Sequence, residues 1–542
     1  MASPPWQRWQ ERIRWLGGRT PDSRGRFVLY WMQTSRRLQS NYALEVAAGW
    51  AAQLGKPLVV YEGLKRNYPW ANARHHAFAL QGMRDNAAAA RQLGLTYWPF
   101  VETPQYNGHG LLRQLAATAC LIVTDDYPAY IVPAHLQALA GTLTVPLLAV
   151  DGNSLIPLRQ LGPTPVSAGQ LRHRWHRLFP QAWQQRASVQ PHLPAVVRRA
   201  VEPPFPLWDV DQDLEQALDR IGVDRTVAPV PGTPGGTVAA HKRLRHFLTQ
   251  GLPRYAEQRN HPDDPQHGAA SGLSPYLRWG HLGVQEVVEA VLGPDWTVGQ
   301  LDPSACGRRE GFFSRDANVN AFLDELLIWR DVGYVWHYFF RQQVLEGLGV
   351  PGGTVSWHTG TQPPHFHFAR WDFSVQRDDP LALVLPRWAY ETLQRHAADR
   401  RAYCYSLEQW EAADTHDPLW NAAQQELRHA GRIHNYLRML WGKKVLEWSA
   451  TPLQAYLTLE HLNNKYALDG RDPNSYTGIL WCFGLFDRPW GPERPVFGTV
   501  RYMSSENTAR KFPLQGYYDY VARLSQQARP RSVTTQSGNL FG

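Results

Sequence analysis

Four groups of residues have types and spacings that could do chemistry. In SGLSPYL, Ser271, Gly272, Leu273 and Ser274 put small hydroxyl residues and a glycine at the expected start of a helix. Free backbone N–H groups and the helix dipole favour a phosphate there, although an ordinary N-cap has the same composition. In DELLIW, Glu325 and Trp329 are four apart, so one helix would carry a carboxyl and an indole on the same face. Trp441 and Trp448 are seven apart, two helical turns, which again gives one face. Large planar rings in such a row suit stacking or the movement of electrons. His358, His365 and His367 could approach a metal from one side of a strand. No carboxylate or cysteine accompanies them at close spacing, so an exposed aromatic loop is the better reading and no metal is assigned.

The elements that must hold these residues change character along the chain. After an N-terminal extension (1–26), residues 27–165 alternate short apolar runs with helical stretches: FVLYWM, a helix from Tyr42 to Leu54, PLVVYEG, LTYWPFVE, CLIVTDDYP and VPLLAVDGN. This predicts a parallel α/β sheet covered on both faces, a Rossmann-like layer without the GxGxxG fingerprint. A Pro-rich basic stretch connects (166–235), with a few helices expected. From 236 to 521 helical periodicity dominates, in AAHKRLRHFLTQGL, NAFLDELLIWRDVGYVWHYFF and LRMLWGKKVLEW among others. A loop at 347–377 interrupts it, and the tail 522–542 reads as a flexible contact arm.

With 542 residues the chain is long enough for two or three domains. Its 43% hydrophobic and 19% charged residues exclude global disorder. A net charge of +9 suits an acidic partner such as nucleic acid without requiring one. Twenty-three Trp and 23 Tyr fit stacking on bases or flavins as well as a large aromatic core. Cys120, Cys306, Cys404 and Cys482 lack CxxC spacing and read as buried free thiols. No apolar run reaches membrane-spanning length and the N-terminus lacks the core of a secretory signal, so an intracellular protein is expected.

One stretch carries more than composition. THDPLWNAAQ, RIHNYLRMLWGKKVLEW, LNNKYALDGRDPNSYTGILW, FDRPWGPERP and VRYM follow one another between Thr415 and Met503. In that order they resemble the C-terminal flavin domain of the class II cyclobutane pyrimidine dimer photolyases. FVLYWMQTSRR, ANARHHAFALQGM, SGLSPYLRWGHLG and FLDELLIW extend the resemblance over most of the chain. It implies an all-helical FAD-binding domain behind the α/β layer, with reduced FAD (FADH⁻) as the active form and ultraviolet-damaged double-stranded DNA as the partner.

The resemblance also implies roles. Ser271, Gly272, Leu273 and Ser274 would cradle the FAD pyrophosphate, with Tyr255 a further flavin contact. Arg438 and Asp469 would pair beside the flavin ring, and Asn463 would face its N5. Glu325 would hydrogen-bond the pyrimidine pair, and Trp329 and Trp481 would sandwich the flipped dimer, photolyases being among the enzymes that extrude bases. Met439 would line the same pocket. Arg488, Trp490 and Arg501 would contact DNA or fill the gap left by flipping. Trp441, Trp420 and Trp448 would form a proximal, middle and distal electron-transfer triad. Asn435 stands where class II members usually have Gly, which leaves the redox tuning open. The α/β layer would be the antenna-type domain; a deazaflavin and an empty pocket are both consistent with its residues.

The resulting reading is a light-driven lyase, monomeric, working in a bacterial cytoplasm or a eukaryotic nucleus. Two rivals remain at this stage. A cryptochrome-like FAD light sensor has no need of Glu325, Trp329, Asn463 and Trp481 together. A single-stranded nucleic-acid-binding module has no use for the flavin residues.

Overall fold

The computed structural model describes the chain apart from residues 1–4, 18–19, 164, 166, 264, 266–267, 348–380 and 528–542. The three histidines of the 347–377 loop and the last part of the tail therefore lie outside the described residues. Six strands form one sheet: β1 (Ile13–Leu16), β2 (Phe27–Met32), β3 (Leu58–Leu64), β4 (Thr96–Val101), β5 (Ala119–Asp125) and β6 (Leu147–Val150). Their order is β1-β6-β5-β2-β3-β4. All pairs are parallel except β1 with β6. The apolar runs of β2, β3 and β5 are nearly continuous because helices cover both faces. Alternate residues separate cleanly: Val28, Tyr30, Val60 and Val123 pack with α1 (Tyr42–Leu54), while Phe27, Leu29, Val59 and Ile122 pack on the opposite side with α2 (Ala73–Leu93).

The segment set apart as an N-terminal extension is part of this domain. Trp6 stacks on Trp50 of α1 at 4.6 Å and Trp9 meets Tyr42 edge-on at 5.7 Å, after which β1 joins the sheet antiparallel. Arg12 donates to the Asp151 and Ser154 carbonyls at 3.0 and 2.9 Å. A four-residue strand with the burial pattern of an edge has too short a period to be read from sequence.

The second half is helical, and α2 is its docking surface. Arg74 donates to the carbonyls of Ala228, Tyr466 and Leu427 at 2.9, 2.6 and 3.3 Å, and to that of Arg428. Asn72 Nδ2 reaches Lys465 O at 2.9 Å and His75 Nε2 lies 3.3 Å from Ala467 O. Burial pushes the His76 imidazole down to about 4, so it serves as a neutral structural group. The ARHH stretch thus joins the two domains.

Three further expectations change. The segment Asp324–Trp329 is a π-helical turn rather than α, as is Phe247–Gly251. The last helix, Gln515–Gln527, runs six residues past Val521, because Ser525 Oγ bonds Gln425 Oε1 at 2.7 Å on the helix Pro418–Ala430. Of the four free cysteines only Cys120 and Cys482 are buried; Cys306 is half-buried and Cys404 exposed. Among the described residues no helix is long and apolar enough to cross a membrane.

An ion cluster at the domain junction predicts an acid limb. Glu411 Oε1 accepts from His461 Nε2 at 2.7 Å and from Lys465 Nζ at 2.6 Å, while His461 Nδ1 accepts from Trp70 Nε1 of the α/β domain at 3.3 Å. Burial raises the Glu411 carboxyl, but the hydrogen bonds from His461 and Lys465 outweigh it and hold the group at about 2. A depressed folded value means that the stabilisation is complete above the unfolded carboxyl value of about 4.3 and is lost as pH falls toward the folded one. Urea midpoints at about pH 5 and about pH 3 should differ less in Glu411→Gln than in the wild type. Parallel losses in both proteins would remove Glu411 from the acid limb.

Candidate active site

The loop between the helices Pro452–Tyr466 and Pro473–Trp481 organises the site. Its Leu468 and Gly470 carbonyls accept from Trp279 Nε1 at 2.9 Å and Arg278 Nε at 3.0 Å, two side chains of the short helix Ser274–Trp279. The SGLSPYL segment is thereby fixed against the turn that carries Asp469. Leu273, not a serine, occupies the N-cap of that helix and no side chain caps it, although Ser271 Oγ accepts the Leu273 N–H at 3.4 Å. Gly272 has φ +65°, a left-handed conformation that suits glycine, and an added Cβ would lie 2.8 Å from Arg243 Nε. Arg243 holds the preceding strand of backbone through the Ser271 and Ala270 carbonyls at 2.6 and 2.9 Å.

Asp469 Oδ1 accepts from Arg438 Nη2 at 3.1 Å. Arg438 lies on the helix Asn435–Glu447, and Asn435 is its exposed first residue. The ion pair is half-sheltered, with side-chain exposures of 30% for Arg438 and 13% for Asp469, so guanidinium donors remain available on the open side. Asn463 is buried, and its Nδ2 has no hydrogen-bond partner in the protein. A buried amide donor left unpaired costs about 1–3 kcal/mol, so this one is suited to an acceptor that a bound group brings. The residues present therefore fit a planar, acceptor-bearing cofactor with a phosphate arm.

The π turn holds the second part of the site. Asp324 receives a two-pronged bond from Arg172 at 2.6 and 3.0 Å and accepts from Trp329 Nε1 at 3.1 Å, which fixes that indole. Trp329 and Trp481 are neighbours, centroids 5.3 Å apart and tilted by 30°. They form a wedge whose rings touch, where the sequence reading placed a dimer between them. Phe486, at φ +62°, buttresses Trp481 edge-on at 6.1 Å. Met439 is half-buried, and its carbonyl lies 4.0 Å from Cys482 Sγ, one residue past Trp481.

Glu325 is half-buried and ion-paired with Arg259, a residue the sequence reading did not single out. Burial raises the Glu325 carboxyl, Arg259 opposes this, and the net shift is upward. Arg259 also lies 5.6 Å from the Tyr255 ring, whose phenol is raised by burial and by Glu325. Tyr255, Arg259 and Glu325 thus form one cluster. Arg309, 5.7 Å from the Trp329 ring, adds a second cation. Neither arginine belongs to a readable motif.

Arg488, Trp490 and Arg501 are brought together at the surface. The two guanidinium carbons lie 4.9 and 5.0 Å from the Trp490 ring, and Trp490 Nε1 donates to Asp487 Oδ1 at 3.0 Å. Trp490 is 38% exposed, a large apolar ring left facing solvent between two cations.

Trp441 and Trp420 stack at 6.5 Å and 8°, and Trp420 Nε1 donates to the Trp441 carbonyl at 3.1 Å. Trp448 does not continue the helix face as a seven-residue spacing implies; the helix ends at Glu447 and Trp448 is its C-cap. Trp410 stands between, 4.7 Å from Trp420 and 6.2 Å from Trp448. Its position in LEQWEA shows no periodicity that would have revealed it.

No family model matches the chain. The fold is similar to that of a bacterial class III photolyase from Agrobacterium tumefaciens, at TM-score 0.57 and 17% identity over 93% of this chain and 87% of that one. The Synechocystis cryptochrome gives TM-score 0.57 at 15% identity, covering 91% and 88%. The chain belongs to the photolyase/cryptochrome family. Its curated relatives carry the name deoxyribodipyrimidine photo-lyase: one from Methanothermobacter thermautotrophicus, 33% identical over 95% of this chain and 99% of the relative, and one from Oryza sativa, 32% identical over 96% and 92%. A third, from Potorous tridactylus, is 28% identical over 89% of this chain and 79% of its own.

Proposed function

We propose that the protein is a deoxyribodipyrimidine photo-lyase of the class II kind, a carbon–carbon lyase that repairs cyclobutane pyrimidine dimers in ultraviolet-damaged duplex DNA. The observation that carries this reading is the wedge of Trp329 and Trp481 beside the Glu325–Arg259 pair. When bound, reduced FAD would supply light-driven electron transfer to the dimer. Tyr255, Ser271, Gly272, Leu273 and Ser274 would hold that cofactor together with Arg438, Asn463 and Asp469. Arg438 brings a positive charge to a reduced ring, and Asp469 limits the cost of sheltering the guanidinium.

The two indoles replace the stacking that a flipped dimer loses. Because they touch, the lesion enters by sliding along the wedge or by parting it. Burial favours the protonated form of Glu325, and in that form, released from Arg259, the carboxyl would donate a hydrogen bond to a dimer carbonyl as negative charge grows there. Arg259 orients the carboxyl and stands ready for a phosphate. Arg488, Trp490 and Arg501 grip the duplex at the surface. Trp441, Trp420 and Trp448 would carry electrons toward the flavin. The α/β layer would be the antenna-type domain, with β1 part of its sheet, and the enzyme would work as a monomer.

Repair of a dimer-containing duplex under blue light, with a dark control, tests this reading. Light-dependent repair should fall by about tenfold or more in Glu325→Ala, since a hydrogen bond to a charged group is worth about 1.5–3 kcal/mol. Bound, photoreducible FAD without repair would instead make the protein a light sensor.

A further inference from the structure

The tryptophan row does not reach solvent. Trp420, Trp410 and Trp448 are 0%, 1% and 3% exposed, so a positive hole stopped on any of them would be a cation in the interior. Lys444 Nζ, 5.3 Å from the Trp448 ring, makes that ring a poor resting place, although Glu447 pairs with the ammonium at 2.7 Å. The next ring outward is Tyr405, half-buried, 5.1 Å from Trp410 and 6.0 Å from Trp448. Its hydroxyl oxygen is 2.5 Å from Nδ1 of His416. The same oxygen accepts the backbone N–H of His416 at 3.1 Å, and with His416 protonated on Nε2 the phenolic proton is directed at Nδ1. Burial raises the Tyr405 phenol, so it holds this proton at neutral pH. His416 is exposed and stacks on Tyr403 at 3.6 Å.

We propose that Tyr405 is the terminal electron donor of the row, that Trp410 relays between Trp420 and Trp448, and that His416 is the base that takes the tyrosine proton. In the step, Tyr405 passes one electron to an indole radical cation on Trp410 or Trp448 and its O–H proton to His416 Nδ1. The O–H bond breaks and an N–H bond forms. The products are a neutral indole, a neutral phenoxyl radical and an imidazolium at the surface. One positive charge leaves the interior, and return of the electron must wait for the proton. The first oxidant is a photoexcited oxidised flavin, so the inference rests on the flavin reading above; a thiol-class reductant in solvent later returns one electron and one proton to the phenoxyl.

The test is a flash experiment on the full chain with its flavin oxidised, read by transient absorption and electron paramagnetic resonance. A second arm generates the hole with a soluble ruthenium photo-oxidant. Both arms should end on a tyrosyl radical, formed more slowly in D₂O. Tyr405→Phe should leave a shorter-lived tryptophan radical, and Trp410→Phe should lower the tyrosyl yield. His416→Ala should slow tyrosyl formation by about 100-fold, the low end of what a positioned base supplies, with free imidazole restoring it. A tyrosyl signal unchanged in Tyr405→Phe, or a rate indifferent to both His416→Ala and D₂O, overturns the proposal. A tryptophan radical as the only product of flavin excitation overturns it and leaves the flavin reading intact. A Tyr405-dependent radical in the ruthenium arm, with no transient on flavin excitation, supports the tyrosine–histidine pair and defeats the flavin reading.

Discussion

Trp481→Ala and Trp329→Ala should each weaken binding of a dimer-containing duplex by about 10–100-fold while leaving the affinity for undamaged duplex nearly unchanged. Base–aromatic stacking is worth about 1–3 kcal/mol per base, and the lost ring faces only an extruded base. Undamaged DNA touches the protein through its phosphates, and that term depends on surface cations such as Arg488 and Arg501 rather than on the wedge. The two substitutions should not add, because the rings contact each other at 5.3 Å and removal of one frees the other to repack. Trp329→Phe separates stacking from anchoring: it keeps an aromatic face and loses the 3.1 Å bond to Asp324. Titrations of matched damaged and undamaged duplexes at one salt concentration read the wild type, the three single variants and the double alanine variant. Equal losses on both duplexes would make the pair a structural cluster.

What the sequence revealed divides along the range of the interactions. The strands of the α/β layer are legible because a buried parallel strand is an unbroken apolar run, as in FVLYWM and CLIVTD. The helix Tyr42–Leu54 is readable to its ends because Asn41 caps it and Gly55 closes it. Ordered motifs likewise point to Arg438, Asp469 and Asn463; the fold puts Asp469 in a turn, Asn463 on the helix before it, and Arg438 on the helix Asn435–Glu447, joined to the turn by its ion pair with Asp469. Partners supplied from afar left no local trace. Arg259 meets Glu325 across 66 residues, Arg172 meets Asp324 across 152, and Trp410 joins its row only through tertiary packing. The π turn at Asp324–Trp329 was hidden for another reason: its apolar pattern is that of an α-helix, and only the longer-range backbone bonding distinguishes it. The same holds for β1 and the end of the last helix, whose order comes from Trp50 and Gln425 on other elements.

Arg74→Met should destabilise the protein by about 3–5 kcal/mol, although Arg74 touches none of the site residues. Its guanidinium caps two helices at once. The Leu427 and Arg428 carbonyls lie in the last turn of the helix that carries Trp420, and the Tyr466 carbonyl ends the helix that carries Asn463. A cation at two C-termini satisfies orphan carbonyls and meets the negative ends of both dipoles. Burial lowers the guanidinium to about 10, still well above neutrality, so the capping charge is present at working pH. Methionine fills the volume but takes the guanidinium donors from the Arg428 and Tyr466 carbonyls at a sealed junction, while the Leu427 carbonyl keeps the Gly431 N–H at 3.0 Å. Arg74→Lys should recover part of the loss, with one point charge in place of a planar fork. Asp469 lies three residues beyond the capped Tyr466, so the methionine variant should also release flavin more readily than the lysine one. Urea unfolding followed by intrinsic fluorescence and by flavin release measures both effects. An unchanged midpoint in Arg74→Met would show that the domain junction holds without the double cap.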